Sequence, residues 1–458
     1  MLHQLSLTAL RDELVNGRVS PLEVVDDYLA RIEAVNPKLN AFVAVHAERA
    51  RARAQQPLHG PLAGIPVSIK DSFDIVGQPT YCGSRFRIDH VAKADATCVA
   101  RLEAAGAIII GKTNTPEFLA NYESDNHIVG RTNNPWNLDC TPGGSSGGEA
   151  AAIAGFCSAG GMGSDGGGSV RWPAQATGIA ALKPTPGRVP ATGHEPRICH
   201  PGGLLGVAGP MARNARDLRL LFDVVSGYDD QDPFSVPMDR QVANFGGLKI
   251  GFADRFGTVP VSAAIAAAVK DCARVCEKSL HLEVDAWAPT GLEKAPNLWS
   301  FFFSELPAEF MRDTIAGHEE IAHWTGTELL HQLEGRPLPT AKQVVLNLAA
   351  RDRMRAELLL QMRAYGVLLW PVAGTTAFAH RARRYPTDGK EIGLFQAMMP
   401  LYPANLLGLP AVVIPWTLSP EGLPIGIQLI GRPWEEELLL DLAIRLEDAR
   451  GPFSGPTL

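Results

Sequence analysis

Ser145 and Ser169 each stand among glycines, in GGSSGG and GSDGGGSVR, with an Ala-rich stretch of helical length between them. Glycine tolerates positive φ and lets backbone approach a ligand closely. Two such patches joined by one buried helix bring two hydroxyls and several free N–H groups to one place. Those are the parts of an acyl-transfer site: a nucleophile, a proton carrier and an oxyanion hole. A serine hydroxyl also needs a base. The segment holds no histidine, although His127, His194 and His200 fall in loops elsewhere, and a triad is spatial rather than sequential. A lysine serves instead if burial strips its charge. Lys70 closes the apolar run IPVSIK, where it should be partly desolvated. The competing reading of that lysine is a buried cation paired with Asp71 or Asp74.

Other readings of the glycines fit less well. Residues 161–166, GMGSDG, match the dinucleotide pattern G-x-G-x-x-G, which must open a helix and be followed by an acid about 20 residues on. Here Gly167-Gly168 and Trp172-Pro173 spoil the expected helix, and no Asp or Glu lies between Asp165 and Glu195. A P-loop requires a lysine after the glycines, and neither cluster has one.

The elements around these residues alternate between strand and helix. Ser20-Pro21-Leu22-Glu23 is a capping box with proline at the first helical position, and Asn36-Pro37 should stop that helix. Strands are expected at 66–70, 107–110, 248–253, 367–372, 411–415 and 425–430. Helices are expected at 97–105, 215–225, 261–280, 342–364 and 434–446, the last with Glu435, Glu436 and Glu437 at its positive end. Such alternation implies an α/β fold with a mostly parallel sheet. One domain over 1–458 fits, with an aromatic-rich excursion at 286–345 carrying Trp299, Phe302 and Phe303.

Composition bounds the function. Hydrophobic residues make up 46% and charged residues 20% of 458, enough for a large core. The net charge of −7 comes without a basic block, so nucleic-acid binding is not expected. No apolar run reaches the roughly 18 residues a membrane span needs, and the N-terminus lacks a signal peptide's apolar core. A cytoplasmic protein, monomer or homodimer, is the expectation. The 7 cysteines are scattered. Cys272 and Cys276 lie one helical turn apart without matching partners, so no zinc site is expected.

The ordered motifs resemble the amidase signature family. They are LAGIPVSIKD (62–71), GAIIIGKTNTPEF (106–118), NNPW (133–136), GGSSGGEAAAIA (143–154), GSDGGGSVRWPA (163–174), GIAALKPTPGRVP (178–190) and GPMARNARDL (209–218). GLPAVVIPW and GLPIGIQLIGRPWEEELLL match near the C-terminus, so the resemblance reaches nearly the whole chain, with 60–220 as its core. It implies a central mixed sheet wrapped by helices and a Ser-cisSer-Lys triad working without metal or cofactor. By position Ser169 is the nucleophile, Ser145 the bridging serine behind a cis peptide, and Lys70 the base. The N–H groups of Gly166, Gly167, Gly168 and Ser169 would form the oxyanion hole. Asp165 and Arg171 would brace the loop.

Two residues depart from the family pattern. Gly166 replaces a bulkier residue, which should leave slightly more room, and Trp172 either packs behind the loop or narrows the pocket. The resemblance extends to bacterial aryl amidases and to urethanases that cleave carbamates. A small-molecule amide or carbamate is therefore the expected substrate. Trp172, Arg188, Trp299 and Phe302 are the candidate substrate contacts, and residues 188–203, with Arg197, form a candidate gate. The A subunit of the tRNA-dependent amidotransferase, which releases ammonia from glutamine, is similar over the same motifs and is the alternative.

Overall fold

The expected alternation of strands and helices builds a single broad sheet in a computed structural model that describes residues 1–199 and 204–458. In chain order the strands are β1 (Phe42–Val45), β2 (Pro66–Lys70), β3 (Ile108–Thr113), β4 (Gly160–Asp165), β5 (Ala180–Lys183), β6 (Val207–Ala212) and β7 (Lys249–Phe252). They continue with β8 (Glu283–Ala286), β9 (Val367–Pro371), β10 (Arg384–Thr387), β11 (Lys390–Gly393), β12 (Ala411–Leu418) and β13 (Pro424–Gly431). Eleven of them form one sheet in the order β1-β3-β2-β4-β6-β5-β12-β13-β9-β7-β8, and β10 and β11 make a separate hairpin. The sheet is mixed, as the resemblance implies, rather than mostly parallel as the alternation alone suggests. β2 runs parallel to β3 and β4, and β7 to β8 and β9, while β4–β6, β6–β5, β5–β12, β12–β13 and β13–β9 are antiparallel.

Most elements stand where the patterns put them, and the exceptions have local causes. The capping box at Ser20 and Glu23 forms, but its helix runs through Pro37 to Leu39. Proline there forfeits one bond in the last turn, and Asn36 compensates: its carbonyl takes the Asn40 N–H and its side chain the Ala41 N–H. Trp172 and Pro173 do not prevent a helix either. Arg171–Thr177 is helical, with Pro173 in the first turn, where its missing N–H is not needed.

β4 is absent from the sequence reading, since GGMGSD contains none of the β-branched or aromatic residues that favour strands. Its glycines are required by what passes over it. A Cβ at Gly161 would collide with Glu149 Oε1 and with the Ser68 carbonyl. Glu149 rides on the buried helix Gly147–Ala154 and accepts hydrogen bonds from Ser68 Oγ at 2.6 Å and Thr113 Oγ1 at 2.7 Å. One side chain thus ties the helix between the two serines to β2 and β3.

A second apolar cluster, beside the main core of the sheet, contains Trp172, Trp299, Phe302 and Tyr402. Leu292, Ala295, Leu298, Trp299, Phe301 and Phe302 reach it from the 286–345 excursion, which folds as helices Ala295–Ser300, Ala308–Ile315 and Trp324–Gln332. No helix among the described residues is long and apolar enough to cross a membrane.

Candidate active site

Successive side chains of a strand point to opposite faces, so Lys70 and Asp71 part company at the end of β2. Asp71 pairs with Lys112 at 2.8 Å, and Asp74 lies 3.6 Å from His90. Neither carboxylate is paired with Lys70, whose amine is fully buried. Its Nζ lies 2.6 Å from Ser145 Oγ and 3.0 Å from Ser164 Oγ. Burial pushes the amine down to about 7, against the attraction of Asp165 and Glu149. A neutral amine can donate to Ser164 and keep its lone pair for the Ser145 proton. Ser164 is a contact that sequence reasoning missed; only its place beside Asp165 in the glycine run could have signalled it.

The peptide Gly144–Ser145 is cis. Ser145 and Ser169 both line a cavity of about 590 Å³. His194 also lines it, but its Nδ1 faces the Pro196 carbonyl at 2.8 Å, and burial pushes the ring down to about 3. His127 stacks edge-on against His323. Neither histidine hydrogen-bonds to either serine, and His200 and the end of the 188–203 loop lie outside the described residues.

The loop that carries Ser169 hangs on Asp165. Its carboxylate accepts from the Gly168 N–H at 2.7 Å, the Val170 N–H at 3.3 Å, Arg171 Nε at 3.0 Å and Asn405 Nδ2 at 2.9 Å. Despite burial, the adjacent Arg171 guanidinium and further donors hold this carboxyl well below the usual range. Arg171 also reaches Gln428 Oε1 at 2.6 Å and the Leu401 carbonyl at 3.0 Å. The expected bracing role of this pair is thus visible as a closed buried network. Asp165→Asn should leave Arg171 buried without a counter-charge, costing about 3–5 kcal/mol, read as a lowered denaturant midpoint.

The same network corrects the expected oxyanion hole. Gly168 N–H is spent on Asp165, leaving Gly166, Gly167 and Ser169, whose N–H groups bond to no described residue. All three glycines are needed for space. A Cβ at Gly166 would sit 2.8 Å from Phe303 Cε2, one at Gly167 would strike Trp299, and one at Gly168 would strike Leu401. Gly168 also has φ +114°, where a side chain would be strained. Gly166 therefore does not leave a gap: Phe303 fills it.

None of the four candidate substrate contacts lines the cavity, and Trp172 takes the packing alternative. Trp172 is buried behind the loop, stacked on Phe378, with Nε1 donating to the Tyr122 carbonyl at 3.1 Å. Arg188 is buried against Glu436 and Glu437, so it joins the C-terminal helix to the sheet rather than lining a mouth. Trp299 and Phe302 are buried in the second cluster and do not line the cavity. The residues that do include Phe86, Phe118, Leu119, Phe303, Phe310 and Met311, with Arg197 at the rim. Helical phase turns Phe303, not Phe302, to the cavity.

Similarity over the whole chain gives the family. The model of the family described as Amidase matches residues 23–440. The chain belongs to the amidase family. The indoleacetamide hydrolase of Bradyrhizobium diazoefficiens is 34% identical over 458 residues, covering 95% of this amidase and 84% of that protein. The A subunit of the glutamyl-tRNA(Gln) amidotransferase of Roseiflexus castenholzii is 36% identical over 479 residues, covering 96% and 94%. Among solved structures, a bacterial aryl acylamidase of the amidase signature family superposes with a TM-score of 0.86 at 26% identity, covering 98% and 96%. This amidase is an enzyme that hydrolyses carboxamide C–N bonds, on a large α/β fold with an eleven-stranded mixed sheet.

Asp74, His90 and Glu195 bring ligand atoms within 4.8 Å of one another. Arg87 stands 3.4 Å from Glu195 and supplies positive charge there itself.

Proposed function

We propose that this amidase cleaves bulky aromatic carboxamides through an acyl-enzyme on Ser169. The observation that carries the reading is the buried Lys70–Ser145 contact of 2.6 Å opening onto an apolar, aromatic cavity that Ser169 also lines. Neutral Lys70 takes a proton from Ser145, which takes one from Ser169 as its oxygen attacks the carbonyl. Loop amides of residues 166, 167 and 169 receive the oxyanion. Ser145 returns the proton to the leaving nitrogen, the amine departs, and water activated by the same relay releases the acid. Carbamates fit the same sequence, since an alkoxy group on the carbonyl leaves the attack unchanged; the products are amine, alcohol and carbon dioxide. Esters differ only in a better leaving group.

Two relatives support an aromatic substrate, one named for indoleacetamide and one for aryl acylamides. The amidotransferase relatives favour a second reading, release of ammonia from glutamine. The cavity wall favours the first. Burying an aromatic ring there is worth about 1.5–3 kcal/mol, or roughly tenfold to a hundredfold in kcat/KM, whereas glutamine's polar side chain gains nothing from Phe118 or Phe303. The purified chain alone should therefore hydrolyse aryl anilides at least tenfold better, by kcat/KM, than aliphatic amides or glutamine, with aryl carbamates and esters measured alongside. Activity on glutamine only would reverse the choice.

A further inference from the structure

The backbone of the glycine loop is held from outside by two aromatic side chains, and the two bonds have different consequences. Trp299 Nε1 donates to the Gly166 carbonyl at 3.0 Å, and the Tyr122 hydroxyl donates to the Gly167 carbonyl at 2.8 Å. A trans peptide unit is planar, so its C=O and N–H point in opposite directions. Holding the Gly166 carbonyl therefore fixes the Gly167 N–H of the same unit, aimed away from the indole. Holding the Gly167 carbonyl fixes the Gly168 N–H, and that group already donates to Asp165. The Gly167 N–H donates to no described residue. Gly167 also borders a recess of about 10 Å³, shared with Ser169, Tyr122 and Phe303. That is room for roughly one oxygen-sized atom.

We propose that Trp299 is a positioning residue: its indole N–H sets the Gly166–Gly167 peptide so that the Gly167 N–H receives the oxyanion. The inference rests on Ser169 being the nucleophile. The indole is well fixed for the task. It stacks on Tyr402 with ring centres 3.8 Å apart and planes at 2°, and on Phe303 at 4.6 Å and 17°. It also occupies the place where a Cβ at Gly167 would be. The 286–345 excursion thereby shapes the step in which charge develops, besides supplying the cavity wall through Phe303.

Trp299→Phe keeps a ring in the stack and removes the donor. Its kcat should fall about tenfold or more, as part of the 10²–10³ that one oxyanion donor is worth. KM should stay within twofold, because the ground-state carbonyl makes little use of the hole. Inhibition by an arylboronic acid, whose tetrahedral adduct places an oxygen in the hole, should weaken by the same factor as kcat/KM. Tyr122→Phe removes the same kind of bond from the neighbouring peptide, whose N–H is not free, and its kcat loss should be at least fivefold smaller. Rates are normalised to the folded fraction read from a thermal melt, so a loss of stability does not imitate the effect. Equal kcat losses in the two variants would overturn the proposal, as would a Trp299→Phe effect confined to KM with boronate affinity intact. Turnover surviving in Ser169→Ala would instead remove the nucleophile on which the proposal stands, a failure read from a different variant.

Discussion

Ser169→Ala is expected to lower kcat by about 10⁴–10⁶, leaving only what the oxyanion donors and substrate binding provide. The nucleophilic oxygen is lost, and nothing else in the loop needs to move. Its anchors are the bonds from Gly168, Val170 and Arg171 to Asp165, and none involves the Ser169 hydroxyl. The variant should therefore keep the wild-type melting temperature and bind an aryl amide with unchanged affinity, measured by calorimetry. In the wild type, a short reaction with an activated aryl ester, quenched in acid, should leave the acyl mass on the peptide containing Ser169. Residues of one proton relay act as a unit. Adding Lys70→Ala to Ser169→Ala should consequently cost almost nothing further, although each alone costs much. A Ser169→Ala enzyme retaining one part in a hundred of its rate would end the assignment.

What could be read from the sequence divides along physical lines. β2, β9 and β13, and helices Ala215–Val225 and Ala263–Lys278, show in their apolar patterns because their burial is decided by neighbours a few residues away. β4 does not show. Its glycines answer to Glu149 and Ser68, distant in the chain, and their spacing imitates a loop. The sheet's mixed character is hidden for a similar reason: local pattern fixes a strand's existence, whereas direction depends on which strands end up adjacent.

The site divides in the same way. Lys70, Ser145 and Ser169 can be singled out because the chemistry needs those residue types, and the resemblance places them. The substrate contacts cannot be. Trp172, Trp299 and Phe302 are aromatic residues near the site, but a large side chain near a glycine loop is as useful behind the loop as in front of it. Stacking on Phe378 and Tyr402 puts Trp172 and Trp299 behind it. Arg188 is drawn away by Glu436 and Glu437, which local sequence shows only as acids favoured at a helix N-terminus. An ion-pair partner so far downstream leaves no mark in the residues around Arg188.

The remaining large effect concerns the base. Lys70→Met preserves the length and burial of the side chain but removes the proton acceptor, and should lower kcat/KM by about 10²–10⁴. The pH profile is the finer test. Only the neutral amine accepts the Ser145 proton, and burial pushes Lys70 down to about 7. Below that value the ammonium predominates, so log kcat/KM should fall by nearly one unit for each pH unit. Above it the rate should level off. A lysine at its ordinary value would still be gaining activity at pH 10. Glu149 complicates the same range, since burial pushes its carboxyl up to about 7, and its charge favours the Lys70 ammonium. Glu149→Gln removes that charge while leaving groups able to meet Ser68 and Thr113. The midpoint of the rate profile should then move to lower pH, because the ammonium has lost a stabilising neighbour. A midpoint moving upward in that variant, or a flat profile down to pH 5 in the wild type, would mean that some group other than Lys70 takes the proton.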